Sequence, residues 1–399
     1  MSHIILFDAE VRSHLLPLTY ARPVGDLRVG ILTIAEKWGQ HLRMPVSFLT
    51  QDYLQELFPL VYGEQNLLVN GSILPTPDVA SLILDLSPGE AYVKDGELIA
   101  ACLDGAAVKA LSRDKDFDEL VAFDLGDQEL LRISRPADIF RMNDVAIRDD
   151  FALLTAGRTS AEPSSTNTII GPRENLFLEP GVKMEACILN TEDGPVYIGK
   201  DSVILEGSLM RSPLAICADS LVKMGAKIYG GTTLGPSCSV GGEINNVVFQ
   251  ANSNKGHDGF LGNAAIGEWC NIGADTNASN LKNDYGEVRV WSYPEGKFAK
   301  TGLQFHGLVL GDHSKVGINT MFNTGTVVGF SANVYGEGFP RAFIPSFIWG
   351  GAGGVMTYKL DKAKATAERV MARRKVDFSG AHGRLFDAVF EESAGYRKG

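Results

Sequence analysis

The chain has 399 residues, 45% of them hydrophobic and 21% charged, an ordinary globular balance with room for two or three domains. The net charge of −11 provides no basic footprint and argues against a nucleic-acid partner. Any anionic substrate must then be met by local Lys, Arg or backbone N–H groups.

The opening stretch, MSHIILFDAEVR, has only four consecutive apolar residues before an acid, which is not a signal-peptide pattern. The segments HIILF and PVSFLT read as strands, and RVGILTIAEKWGQHL and QDYLQELF as helices. This alternation predicts an α/β, Rossmann-like layer domain over residues 1–150. A stretch rich in Ser, Thr and small residues follows, and residues 151–170 read as a linker. The five cysteines are scattered, with no C-x-x-C pair for metal or redox work. They suit reduced thiols in a cytoplasmic protein.

A repeat then begins. Every sixth residue from 198 to 240 is aliphatic: Ile198, Ile204, Met210, Ile216, Val222, Ile228, Leu234 and Val240. Two further runs are Phe260, Ile266, Ile272, Ala278 and Leu310, Val316, Phe322, Val328, Val334. A six-residue period is the signature of a parallel β-helix, in which each hexad gives a short strand, a turn and one axial side chain. Residues 171–345 are assigned to it. The register breaks between Val240 and Phe260 and again between Ala278 and Leu310. Extra residues in a stacked coil are expected to leave it as loops, where function tends to sit. The first break holds Lys255 and His257. The second opens with Asn280 and holds Lys297, Lys300 and His306.

Residues 346–399 read as a helical tail. WGGAGG is expected to be a hinge rather than a phosphate loop, because no Lys-Ser/Thr follows it. Leu360, Ala363, Ala367, Val370 and Met371 then form the apolar stripe of a helix. The apolar stretch AFIPSFIWGGAGGVM is too short and glycine-rich for a membrane span. His257, His306 and His313 lack the H-x4-H spacing of zinc-binding β-helix enzymes, and no metal is expected there.

The run NKGHDGFLGNAAIGEWCNIGAD with the following SNL resembles the acetyltransferase half of the bifunctional N-acetylglucosamine-1-phosphate uridyltransferase (GlmU) family. That family carries K-A-G-H-x-x-Y-L-G-D-A-E-I-G-x-x-x-N-I-G-A, then S/C-N-Y. KFAKT resembles its K-F-K-T. More distantly, SHLLPLTYARPVGDL and LLVNGSILP resemble its sugar nucleotidyltransferase domain.

The resemblance implies a left-handed β-helix, a homotrimer and acyl transfer from acetyl-CoA (acyl-CoA) to a sugar, sugar phosphate or nucleotide-sugar. His257 falls on the general base. Lys255, Asn271, Asn280, Lys297 and Lys300 are the candidate substrate ligands. An oxyanion donor is expected near Gly273 or Ala274. Sugar-1-phosphate nucleotidyl transfer, with Mg2+, is the alternative, and a non-enzymatic sugar-nucleotide binding protein the third reading. Several family positions are lost. FDAEVRSH replaces the glycine-rich phosphate loop, Val24 stands at the P-K lysine, Ser72 at the metal-binding aspartate, and EINN replaces E-I-K-K. Arg22 and Arg28 remain as anion-binding candidates in the N-terminal domain.

Overall fold

The computed structural model describes residues 2–114 and 120–398. They form two compact units. The first draws on residues 1–15, 21–27 and 32–135, the second on residues 16–20, 28–31 and 136–399.

The first unit is built on a six-stranded mixed sheet of β1 (Ser2–Phe7), β2 (Val46–Leu49), β3 (Gln65–Asn70), β4 (Glu90–Lys94), β5 (Glu97–Asp104) and β6 (Val121–Asp124), in the order β2-β1-β3-β5-β4-β6. β1 runs parallel to both neighbours, and β5 is antiparallel to β3 and β4. Ile4, Ile5 and Leu6 are all fully buried, so the continuous apolar run of β1 is a central strand covered on both faces.

Two helix expectations need correction. The first helix is Ile34–Leu42 and excludes Arg28–Leu32. Gly30 has φ +85°, outside the helical region, and Thr33 closes the N-terminus with a capping box to Glu36. QDYLQELF forms hydrogen-bonded turns rather than an α-helix. The Gln55 amide donates to Phe48 O and Phe58 O, which draws the segment into a knot before Pro59.

The second unit contains a parallel β-helix, as the six-residue period predicts. Each coil contributes strands to three ladders. Met210 pairs with Ile228 on one face, Ile198 with Ile216 and Leu234 on the next, and Ile204 with Val222 and Val240 on the third. All eight residues of the 198-to-240 series are buried in one core with Ile266, Ile272, Leu310, Val316, Phe322, Val328 and Val334. Phe260 is the exception: it is only half-buried, and Leu261 takes the axial place.

The cause lies in the first register break. Val222 advances 18 residues to Val240, yet Val240 pairs with Lys255, only 15 residues on. This coil has lost residues. Nothing loops out, and corner residues Asn246 (φ 55°) and Asn263 (φ 46°) make the shortened turns in left-handed conformation. The second break does extrude chain, as an antiparallel hairpin of Arg289–Ser292 and Lys297–Lys300.

After the last coil the glycines of WGGAGG form the tip of a β-hairpin, Ile348–Gly351 with Gly354–Thr357, and not a hinge. Helices Leu360–Ala372 and Gly380–Glu392 follow, the first burying Ala363, Ala367 and Met371. Helix Asn143–Thr155 belongs to the second unit, where the Asn143 side chain bonds Gly30, Gly231 and Thr233.

Burying one axial aliphatic side chain contributes roughly 1.5–3 kcal/mol. Ile266 is completely buried between Phe249 and Leu310. Ile266→Ala is expected to lower unfolding stability by about 2–5 kcal/mol, measured by urea titration. A change under about 0.5 kcal/mol, the range of ordinary surface substitutions, would contradict the axial placement.

Candidate active site at the His257 turn

His257 lies on the corner between strands Asn254–Lys255 and Phe260–Ile266. Its side chain is exposed, and among the described residues no hydrogen bond reaches the ring. The turn is tightly stacked. Gly259 adopts φ +114°, and a Cβ there would stand 2.2 Å from Thr276 O on the next coil. Asp258 O accepts from Asp275 N at 2.9 Å, which ties the turn to the coil below.

Lys255, expected among the substrate ligands, points the other way. It is fully buried, and its ammonium donates to His257 O and Asp258 O at 2.5 Å each. Burial lowers its pKa to about 8, against the opposing pull of Asp258 and Asp275. It occupies the place of the alanine in the family's K-A-G-H run. Counting six residues back from Leu261 reaches Lys255, so the axial assignment was open to the sequence once Leu261 replaced Phe260.

Asn280 does not orient the imidazole. It stands on the next corner, beyond the strand that begins at Phe260, and its Nδ2 donates to Asn263 Oδ1 at 2.7 Å. Asn263 in turn donates to Asn246, whose amide reaches Gly231 O and Phe140 O. The three asparagines form a ladder at this corner, and Asn246 belongs to the EINN segment. This half-buried ladder satisfies the amides within the fold.

Asn271 is exposed on the outer side of the face below Asn254. Lys297 and Lys300 stand on the extruded hairpin, largely exposed, beside Glu295 and Glu287. None of their described ion pairs reaches the His257 turn. Gly273 N donates to Val316 O and is spent in the ladder, so it is no oxyanion donor. Near the turn, Arg374 donates to Asn254 Oδ1 at 2.9 Å, giving the basic end of the first C-terminal helix a structural contact.

The remaining histidines of the repeat are packed. His313 lies among Trp269, Phe330 and Phe386. His306 is 1% exposed, meets Phe140 edge-on at 5.3 Å and contacts Gly307 O through Nδ1 at 3.1 Å. Burial pushes its pKa down to about 4.

The first unit holds a cavity of about 950 Å³ lined by Asp8, Glu10, His14, Asp95, Glu97, Arg132 and Arg135, among others. The positions that would handle phosphate are engaged with one another. Asp8 accepts from Val24 N at 2.7 Å and from the Thr50 hydroxyl at 2.6 Å. Its burial raises its pKa. Ser72 Oγ donates to Asn70 and accepts from Arg132 Nε at 3.1 Å, while Arg132 makes a bidentate pair with Glu97. Such forked pairs are strong and geometrically specific. Arg22 and Arg28, the anion-binding candidates, both have partners within the fold. Arg22 pairs with Asp26 at 3.2 Å. Arg28 is buried in the second unit, bonded to Gln250 O and Ile31 O.

His306 is neutral in the fold but protonates near its ordinary value of 6.5 when unfolded. Its stabilising contribution is present above pH 6.5 and lost as pH falls towards 4, up to roughly 3 kcal/mol. The expected outcome is a shallower fall of Tm between pH 6.5 and 4.5 for His306→Asn than for the native chain. Parallel curves would remove His306 from the acid response.

A family model described as sugar nucleotidyl transferase matches residues 4–159. The bifunctional protein GlmU of Synechococcus elongatus is 26% identical over 227 residues, covering 53% of this chain and 46% of its own length. A bifunctional sugar-1-phosphate nucleotidylyltransferase/acetyltransferase of Sulfurisphaera tokodaii is 32% identical over 93 residues, 23% of each chain. The chain thus spans about half the length, or less, of these relatives. The crystal structure of the polySia specific acetyltransferase NeuO aligns with 54% of this chain and 97% of its own, at 12% identity and a TM-score of 0.28. The strand pairings themselves therefore carry the description of the fold. The chain is GlmU-like: a match to the sugar nucleotidyl transferase family over residues 4–159 is followed by a hexapeptide-repeat β-helix.

Proposed function

We propose that the β-helix transfers an acyl group, acetyl in the simplest case, from a coenzyme A thioester to a sugar, sugar phosphate or nucleotide-sugar. The observation that carries the reading is His257: an exposed imidazole with no internal partner, on a stacked turn, within a run similar to the GlmU acetyltransferase motif. The acceptor hydroxyl or amine attacks the thioester carbonyl, and His257 takes its proton. The new C–O or C–N bond forms as the C–S bond breaks, and the proton returns from His257 to the departing thiolate. Exposed Asn271 remains a candidate acceptor ligand. Lys297 and Lys300 qualify only if a second copy carries them to the turn.

A homotrimer is the proposed assembly. Ile188 and Leu209 are paired neighbours on one ladder, 40% and 46% exposed, and Met321 continues that face, with Met224 and Ile318 also exposed. These apolar side chains, separated along that ladder by Lys227, Glu243 and Asn277, are patches that suit contact with another copy. Light scattering at micromolar concentration is expected to give three times the 43.0 kDa chain mass. A monomer would sink the assembly. A cytoplasmic setting is proposed with it; no helix among the described residues is long and apolar enough to cross a membrane.

Nucleotidyl transfer is the second reading, favoured by the match over residues 4–159. The residues present do not fit Mg2+: the serine at the metal-ligand position bonds a guanidinium, and cations repel. We place no transfer step in that unit.

His257→Ala is expected to slow thiol release from acetyl-CoA, assayed with amino sugars and sugar phosphates, by about 10²–10⁴-fold. Its Tm should stay close to that of the native chain, because an exposed turn histidine carries little of the core. Pyrophosphate release from nucleoside triphosphate and sugar phosphate should stay at background in both. Full thiol release by His257→Ala, or brisk pyrophosphate release, would refute the assignment.

A further inference from the structure

The interior of the β-helix is filled mainly by aliphatic side chains, with Phe249, Phe322 and, among the described residues, one lysine at axial positions. Lys255 stands directly below Val240 in the ladder. Asn254 pairs with Asn271, so Lys255 stands above Ile272. Both neighbours are buried aliphatics. Placing an ammonium there is costly unless its hydrogen bonds are met. They are met by two consecutive carbonyls of one turn, those of His257 and Asp258.

We propose that Lys255 is a positioning residue that holds the His257 turn from inside the prism, so that the imidazole is presented outward in one orientation. Its catalytic consequence rests on the acyl-transfer reading above; its structural part does not. Two carbonyls gripped by one cation face inward, and the peptide planes of residues 257 and 258 are then fixed. Asp258 O is held twice, by Lys255 Nζ and by Asp275 N. The side chain of His257, projecting from the opposite side of that backbone, has no other restraint among the described bonds. An apolar residue at position 255 would fill the same axial space while leaving those carbonyls free to turn towards water.

The charged groups facing the ammonium are the carboxylates of Asp258 on its own turn and Asp275 on the next coil. As pH rises through about 8 the ammonium loses its charge, and its grip weakens.

Lys255→Met tests the proposal, because it keeps an unbranched side chain of similar length and removes the charge. The first measurement needs no activity: crystal structures of the native and variant chains. The expected result is an intact β-helix with the His257–Asp258 peptides reoriented or smeared in density. An unchanged, well-ordered turn would overturn the proposal. The second is kinetic, in whatever acyl transfer the native chain shows. The expected result is a loss of tenfold or more in kcat with KM within twofold, Tm unchanged or higher, and disappearance of the native alkaline fall near pH 8. A kcat within twofold of native would overturn the catalytic part. Should Lys255→Met not fold, Lys255→Leu, which also fills the axial space and has no donor, replaces it in both measurements under the same criteria. A native chain that transfers no acyl group would fell the acyl-transfer reading alone, leaving the crystallographic arm to decide the role of Lys255.

Discussion

The parallel ladder is the constraint on which the second unit depends. Each short strand finds its backbone partners only in the coils above and below, and each axial side chain is buried only by its counterparts there. A coil cannot shift without breaking three ladders at once. When residues are lost, as between Val240 and Lys255, the turns absorb the deficit and the ladder stays in register. Asn246 and Asn263 then adopt positive φ and stack as an amide ladder with Asn280. The same rule places His257. It stands on a corner because strands must occupy the faces, and it is exposed because the axis is already filled.

This explains which parts were legible in the sequence. The axial series from Ile198 to Val240 follows from spacing alone, since burial of one side chain in six leaves a periodic trace. The strand HIILF was legible for a similar reason: burial on both faces demands a continuous apolar run. The first register break was misread because a count of residues between apolar positions does not tell a deletion from an insertion. Val240 to Phe260 reads as two residues too many, whereas the true axial residues are Ile244, Phe249, Lys255 and Leu261, and the coil is short. A lysine does not belong to an apolar series, so the spacing alone leaves Lys255 among the polar candidates. Its role depends on two backbone carbonyls that no residue pattern reveals. RVGIL was read as helix from its apolar content, yet Gly30 and the Thr33–Glu36 capping box place the start at Ile34.

The first unit shows the converse case. Its resemblance to sugar nucleotidyltransferases is matched by a family model over residues 4–159, while three positions that would handle phosphate differ in the sequence. The structure gives those departures a common form. Asp8 holds Val24 through its backbone N–H, and Ser72 joins Asn70, Arg132 and Glu97 in one network. A carboxylate and an ion pair now satisfy groups that would otherwise face a phosphate. Arg132 lines the cavity, but its charge is matched by Glu97 at 2.6 Å on each arm. The acids Asp8, Glu10, Asp95 and Glu97 outnumber the arginines there. Such a cavity disfavours a triphosphate on simple charge balance.

Within the chain the residues of the candidate site are dispersed by the same geometry that fixes them. His257 and Asn280 occupy consecutive corners, separated by the face that begins at Phe260. The hairpin carrying Lys297 and Lys300 leaves from the Asn280 corner. A prism cannot fold to bring two of its own corners together, because the ladders keep each face flat. Any group that meets an acceptor beside His257 therefore comes from the same corner, from an outward position on a flanking face such as Asn271, or from another chain. At the same corner Asp258 and Asp275 stand with their backbones tied together, Lys255 is turned inward, and the Lys223 side chain lies beside Gly256. The internal lysine is spent on two carbonyls, and the cations that lie close to that corner are Lys223, beside Gly256, and Arg374, bonded to Asn254.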